Sequence, residues 1–324
     1  MGWAAGHYAF INKICSQFLV GLEMPRDQGL TPVARIGVSL EFFPPKTAAM
    51  LASLWKTLQV LLPLDPVFVS VTYGAGGTTR DRTHQVVKDI KRITNVRPAA
   101  HLTCVGSSRA EIRDIAQNYF HDGVTHIVAL RGDPPERTTK FKPYPGGYGG
   151  SVELIEGLRE VAEFEITAAA YPEGHPESQG VQSDMEHLKR KCDAGAVRLI
   201  TQFFYNNDQF FRFYERVRAC GITVPIVPGI LPITNFEQIA RFSASCGSVI
   251  PKAISEQFEG VPSGSSEASK VALDIACEQC SGLISQGVEE LHFYTLNRSD
   301  LILGIWDSLG LKFTSSPSLV GVGS

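Results

Sequence analysis

The sequence predicts an α/β fold, a (β/α)8 barrel of the triose-phosphate isomerase type, on three observations. Short β-rich apolar runs recur past residue 35, and there are eight of them. Each run gives way to a stretch with helical spacing, and the alternation spans about 270 residues, which fits a closed barrel better than an open doubly wound sheet. No G-x-G-x-x-G follows the first run: Gly74-Ala75-Gly76-Gly77 lacks a third glycine at the right distance, and no G-x-x-x-x-G-K-[ST] occurs. Any nucleotide must therefore be held by barrel loops.

In order, the strand runs are 37–43, 68–74, 98–104, 126–132, 165–173, 198–205, 224–231 and 290–297. The helical stretches are 47–62, 80–94, 108–121, 151–163, 181–194, 207–220, 235–246 and, after the last strand, 298–310. A surplus at 248–286 contains a further long helix, 266–286, before the last strand. The Gly/Pro-rich segment 142–150 is a long βα loop, either a plain linker or a ligand clamp at the catalytic end of the barrel. The chain thus divides into a helical N-terminal extension (1–35), a catalytic barrel (36–311) and a C-terminal tail (312–324).

Composition narrows the function. With 30 basic and 33 acidic residues, net charge −3, and no block of like charges, affinity through phosphate neutralisation is not expected, so nucleic acid is not a partner. No apolar run reaches the roughly eighteen residues of a membrane helix, and Lys13 and Glu23 interrupt the N-terminal apolar stretch. Seven scattered cysteines, an odd number, read as reduced thiols of a cytoplasmic protein. Cys277 and Cys280 form a lone C-x-x-C with no partner pair or suitably spaced histidine, so structural thiols are expected and no metal site.

In a barrel, chemistry sits at the C-terminal ends of the strands. Those ends carry Glu41, Thr72, His101, Arg131 with Asp133, Tyr171 with Glu173 and His175, Gln202, and Thr295 with Asn297 and Arg298. Strand alternation puts Glu41 on one face with Gly37 and Ser39, opposite Val38 and Leu40. Two roles are open to it: a general acid whose pKa is raised by desolvation among aromatics and prolines, or a salt bridge to Arg298 or another mouth arginine. His101 and His175 are read as hydrogen-bonding to a cofactor or to backbone, whereas His84, His121 and His126 are read as helix-surface or helix-end residues. Gln202, beside Phe203, Phe204 and Tyr205, can offer a donor and an acceptor to a flat heterocycle. The basic run Lys189-Arg190-Lys191 is either a solvated helix face or a pyrophosphate clamp.

Nine segments carry a resemblance in unbroken order from about residue 36 to 311. They are Glu-Phe-Phe-Pro-Pro-Lys-Thr (41–47), Phe-Val-Ser-Val-Thr-Tyr-Gly-Ala (68–75), Ala-His-Leu-Thr-Cys (100–104), Ile-Val-Ala-Leu-Arg-Gly-Asp (127–133) and Ala-Ala-Tyr-Pro-Glu-Gly-His-Pro-Glu (169–177). Leu-Lys-Arg-Lys-Cys-Asp-Ala-Gly-Ala (188–196), Ile-Thr-Gln-Phe-Phe (200–204), Val-Pro-Gly-Ile-Leu-Pro (227–232) and His-Phe-Tyr-Thr-Leu-Asn-Arg (292–298) complete the set. Together they resemble the 5,10-methylenetetrahydrofolate reductases. The resemblance implies an FAD-dependent barrel that reduces 5,10-methylenetetrahydrofolate to 5-methyltetrahydrofolate with NADH or NADPH by a ping-pong route. It implies Glu41 as the acid, Asp133 beside flavin and pterin, and Gln202, Phe242 and Arg298 on the substrate side. For FAD it implies Thr72, His101, Leu130, Arg131, Gly132, Asp133, Tyr148, Tyr171, His175, Asp184, His187, Arg190 and Lys191.

His187 stands where relatives carry asparagine, and the loop around Tyr148 differs in length from theirs. A cytoplasmic homo-oligomer is expected, and no inhibition by S-adenosylmethionine, because the chain ends shortly after the barrel. Two other readings remain open: a folate-dependent methyl-transfer or demethylation barrel needing no flavin, and a non-catalytic homologue that only binds flavin or folate.

Overall fold

The computed structural model describes residues 36–73, 80–133 and 141–311. The expected N-terminal extension, the C-terminal tail and the 74–77 turn lie outside the described residues.

Parallel strands and helices alternate. β1 (Gly37–Phe42), α1 (Ala48–Leu61), β2 (Phe68–Val71), α2 (Arg80–Ile93), β3 (Pro98–Thr103), α3 (Arg109–His121) and β4 (His126–Leu130) form the first half. α4 (Ser151–Val161), β5 (Glu165–Ala170), α5 (Val181–Asp193), β6 (Arg198–Thr201), α6 (Asn207–Ala219), β7 (Ile226–Val227) and β8 (Gly229–Ile230) follow. α7 (Phe236–Cys246), α8 (Lys252–Gln257), α9 (Ser266–Ser285), β9 (Glu290–Tyr294) and α10 (Asp300–Ser308) complete the described chain. Every helix expected within the barrel is present with its ends within two residues of the expected bounds, and α8 is an addition inside the 248–286 insertion.

Side-chain pattern explains the layers. α2 buries Thr83, Val86, Val87, Ile90 and Ile93, a stripe at helical spacing that faces the sheet. Val38, Leu40 and Phe42 of β1 point outward into the same apolar layer, while Ser39 and Glu41 point into the barrel. Inside the barrel a smaller cluster of Phe68, Ala99, Val128, Ile200 and Val227 fills the bore. Side-chain caps fix several helix starts: Thr47 accepts from Met50 N, Ser108 and Glu111 form a capping box, and Asn235 accepts from Gln238 N.

The 224–231 run is a single strand in the sequence but two dipeptides in the fold, because Pro228 has no N–H to donate. β7 pairs with β6 (Ile200↔Val227), β8 pairs with β9 (Gly229↔His292), and the chain between them closes the barrel. Pro228 O accepts from His292 N at 3.0 Å. A Cβ at Gly229 would lie 2.2 Å from the Thr201 carbonyl oxygen, so only glycine permits this approach. The 165–173 and 198–205 runs also shorten, to strands ending at Ala170 and Thr201, and their polar ends become loops at the barrel mouth.

Candidate active site

Glu41 sits near the end of β1 with its side chain 12% exposed. Two imidazoles converge on one of its oxygens: His101 Nε2 from β3 at 3.3 Å and His292 Nε2 from β9 at 3.4 Å, both to Oε2. Among the described residues Oε1 takes no hydrogen bond, so it is the oxygen left to address a ligand. Thr295 Oγ1 donates to the Glu41 carbonyl at 2.7 Å, and Asn297 exchanges hydrogen bonds with the Phe43 backbone, tying the end of β9 to β1. The expected rise in the pKa of Glu41 is reversed. Burial does push the carboxyl up, but His101 and His292 outweigh it and hold it at about 2. The expected alternative, a salt bridge to Arg298, does not form either: Arg298 is exposed and pairs with Asp300 at 2.8 Å.

A second group gathers where β5 meets α5. The basic run splits by helical phase, since only Lys191 shares the inward face with Leu188. Lys189 is half-exposed and pairs with Asp193, and Arg190 is exposed with Nη2 3.3 Å from His187 Nδ1. Lys191 is 6% exposed, donates to the Ala169 carbonyl at 2.8 Å and lies 5.8 Å from the Tyr171 ring centroid. Burial lowers its ammonium to about 8, and a single carbonyl leaves two of its three donors for an anion. Burial, then Lys191 and Arg190, lower His187 to about 4. His175 donates its backbone N–H to Asp184 and meets Tyr171 edge-on at 4.7 Å, and burial followed by Arg131 lowers its imidazole. Arg131 is held by the Glu177 carboxylate and packs 4.9 Å from the Phe141 centroid.

Beside the second group lies a small pocket lined by Tyr171, Glu173, Gln202, Phe203, Cys246 and Ser248. Gln202 Oε1 accepts from Phe203 N at 3.1 Å, and its amide nitrogen makes no hydrogen bond among the described residues. Phe242, 38% exposed, stacks on Phe203 with centroids 5.4 Å apart and planes 22° apart. Burial, then the nearby Asp133, push the Tyr171 hydroxyl up to about 12, and Asp133 itself is exposed. Glu173 accepts from Val249 N at 3.2 Å, and burial raises its carboxyl. Gly132 has φ +82°, and a Cβ there would strike Val105 at 2.6 Å. Thr72 and Leu130 are half-buried at the ends of β2 and β4.

Tyr148 is the outlying residue. It is buried in the main apolar cluster, with the Arg109 guanidinium 4.8 Å from its ring centroid and its hydroxyl filling the space above Gly157.

The family model for methylenetetrahydrofolate reductase matches residues 29–310. The chain belongs to the methylenetetrahydrofolate reductase family. It is 45% identical over 287 residues to the 5,10-methylenetetrahydrofolate reductase of Salmonella typhimurium, covering 88% of this chain and 95% of that one. The Escherichia coli K12 enzyme of the same name is 43% identical with the same coverage. In fold, the chain is similar to an uncharacterized protein from Clostridium thermocellum that binds two copies of 5-methyl-5,6,7,8-tetrahydrofolic acid. That likeness has a TM-score of 0.56 at 13% identity and covers 84% of this chain and 93% of the other.

For a member of this oxidoreductase family, two residues escaped the sequence reading. His292 was absent from the strand-end polar residues although it lies in the 290–297 run, two before Tyr294 and thus on the inward face. Ser39, two before Glu41, is on the face that alternation assigns it, but nothing in the sequence assigns it a role. His126 was misjudged as a helix-end residue. It opens β4, is fully buried, and its Nε2 lies 2.8 Å from Thr167 Oγ1. Cys277 and Cys280 are thiols on α9, with Cys280 fully buried.

Proposed function

We propose that this enzyme reduces 5,10-methylenetetrahydrofolate to 5-methyltetrahydrofolate, with FAD at the barrel mouth and a reduced nicotinamide as donor in a ping-pong cycle. The observation that carries the reading is Glu41: a nearly buried carboxyl at the mouth, bracketed by two histidines, with one oxygen left for a ligand. Opening the methylene bridge requires a proton on the leaving ring nitrogen. Glu41 Oε1 delivers it.

The residues around α5 fit FAD. A buried lysine with one carbonyl partner, flanked by Arg190 and His187, offers charge-assisted donors suited to a pyrophosphate. A methyl-transfer barrel without flavin has no use for that cluster. When bound, FAD supplies a store for the hydride between the two half-reactions. The chain's own residues do the rest. Gln202 presents its amide nitrogen to the substrate heterocycle, Phe203 and Phe242 offer stacked apolar surface beside it, and Asp133 contributes negative charge near the ring system. The same reading implies a cytoplasmic homo-oligomer.

The test is direct. The purified protein should be yellow, bleach on anaerobic addition of NADH, and regain colour with methylenetetrahydrofolate. A colourless protein that takes up no FAD would overturn the flavin reading, and bleaching without reoxidation by the folate would overturn the substrate.

A further inference from the structure

The ring of Phe43 stands out of the core at the barrel mouth. It follows β1 directly and is 41% exposed, although Phe42 before it and Pro44 and Pro45 after it are buried. Alternation continued from β1 puts Phe43 on the face of Ser39 and Glu41, about 7 Å mouthward of the acid at the rise of a strand. Asn297 holds its backbone at both polar groups: Oδ1 accepts from Phe43 N at 2.8 Å, and Nδ2 donates to Phe43 O at 3.0 Å. Asn297 itself lies in the left-handed region, φ +56°, directly after Leu296 at φ +50°, a strained conformation for a leucine. Thr57 Oγ1, donating to Asn297 O at 2.9 Å, and Thr295 Oγ1, accepting from Asn297 N at 3.0 Å, keep the turn in place. A strained turn is thus locked onto the backbone of one exposed phenylalanine. Around the rim, the β1 loop with Phe43 stands next to the β9 loop with Arg298, and that next to the β8 loop leading to Phe242.

We propose that Phe43, presented by the Asn297 clasp, is a substrate-binding residue that packs against the aminobenzoyl ring of the folate. This inference rests on the reading of folate as substrate and Glu41 as the acid. In the methyl product the bridge carbon stays on N5 of the pterin, so the nitrogen that leaves, and that Glu41 protonates, is N10. N10 carries the aminobenzoyl ring. With N10 at Glu41, that ring runs out toward the mouth, where Phe43 stands one pleat repeat beyond the carboxyl. Two arenes in that position pair edge-on or offset, and the pairing fixes N10 against the acid.

The experiment is anaerobic titration calorimetry of the flavin-loaded, dithionite-reduced enzyme, which binds 5-methyltetrahydrofolate without turnover. Phe43→Ala should raise the Kd for 5-methyltetrahydrofolate about tenfold, the scale of a lost aromatic pair with its apolar burial. Its urea midpoint should stay parental, because the ring lies outside the core. 6-Methyltetrahydropterin, which lacks the aminobenzoylglutamate, should bind parent and variant within about twofold of each other, since additivity holds for parts that share no contact. Phe43→Tyr keeps the arene and should restore binding to within about threefold of the parent. Asn297→Ala should weaken 5-methyltetrahydrofolate binding too, and adding it to Phe43→Ala should cost less than about twofold more. Equal Kd values for 5-methyltetrahydrofolate in parent and Phe43→Ala would overturn the assignment, as would equal losses for both ligands. A full further loss in the double variant would overturn the clasp. A parent that binds neither ligand would overturn the folate reading, whereas a parent that binds both while Phe43→Ala matches it would overturn Phe43 alone.

Discussion

The two ends of this barrel use the same side-chain types to opposite ends. At the floor, where strands begin, Arg198 pairs with Glu290 and Arg97 with Glu165 at 2.6 Å, while His126 contacts Thr167. Opposite charges meet each other there, and the Arg198 guanidinium also lies 5.7 Å from the Phe68 ring centroid. At the mouth, Glu41 meets two imidazoles on one oxygen, Lys191 meets a single carbonyl, and Gln202 turns its oxygen to its own neighbour. Charge matched against charge makes a plug, although Arg198 Nε, Glu290 Oε1 and His126 Nδ1 take no hydrogen bond among the described residues, whereas groups met only by imidazole, carbonyl or amide partners make a site. Residue type alone does not distinguish them, and the pairing does.

Four measurements sharpen or break this contrast. The largest effect belongs to the floor: Arg198→Met leaves Glu290 without its mostly buried partner and should cost about 3 kcal/mol in urea unfolding. Ligand affinity of the folded fraction should stay parental; a loss of folate or flavin binding would mean that the floor is coupled to the site. Next comes Glu41→Gln, which keeps shape and loses the proton. The folate half-reaction should fall by about 10² or more, while flavin reduction by NADH stays within about tenfold of the parent. Equal loss in both half-reactions would return Glu41 to a scaffolding role.

The third measurement addresses Arg190 and Lys191. Replacing both with alanine should weaken FAD retention by about thirtyfold in equilibrium dialysis, since charge-assisted contacts to phosphate contribute roughly 2 kcal/mol. Full flavin content in a folded double variant would move the phosphate elsewhere.

The smallest effect is a slope. Burial, then Arg97 and Arg198, lower His126 from 6.5 to about 3, so the native state keeps it neutral while the unfolded chain takes a proton. Its stabilisation is complete above about pH 6.5 and is lost progressively as pH falls toward 3, at up to about 1.4 kcal/mol per unit. His187, lowered to about 4, adds the same sign, and Glu41, at about 2, adds its own loss only below about pH 4.5. Denaturation midpoints between pH 7 and 5 should therefore decline in the parent and flatten in His126→Gln.

What the sequence determined by itself is what local periodicity and contiguous motifs encode. Eight apolar runs with intervening helical stretches specify the barrel, and helix ends follow to within two residues because caps and glycines act locally. Alternation along β1 put Glu41 and Ser39 on one face, as observed. Tertiary structure decided the rest, because the determining partners are distant in the chain. The Glu41 carboxyl is lowered rather than raised because His101 reaches it from β3 and His292 from β9, the latter 251 residues away in the chain. Lys189 and Lys191 differ only in helical phase, yet one faces solvent and the other the sheet. Tyr148 packs beside Gly157 because the glycine leaves room on α4, a fit that no local pattern announces. The seventh strand reads as one continuous run, and only the competing demands of β6 and β9, met on either side of a proline without an N–H, divide it.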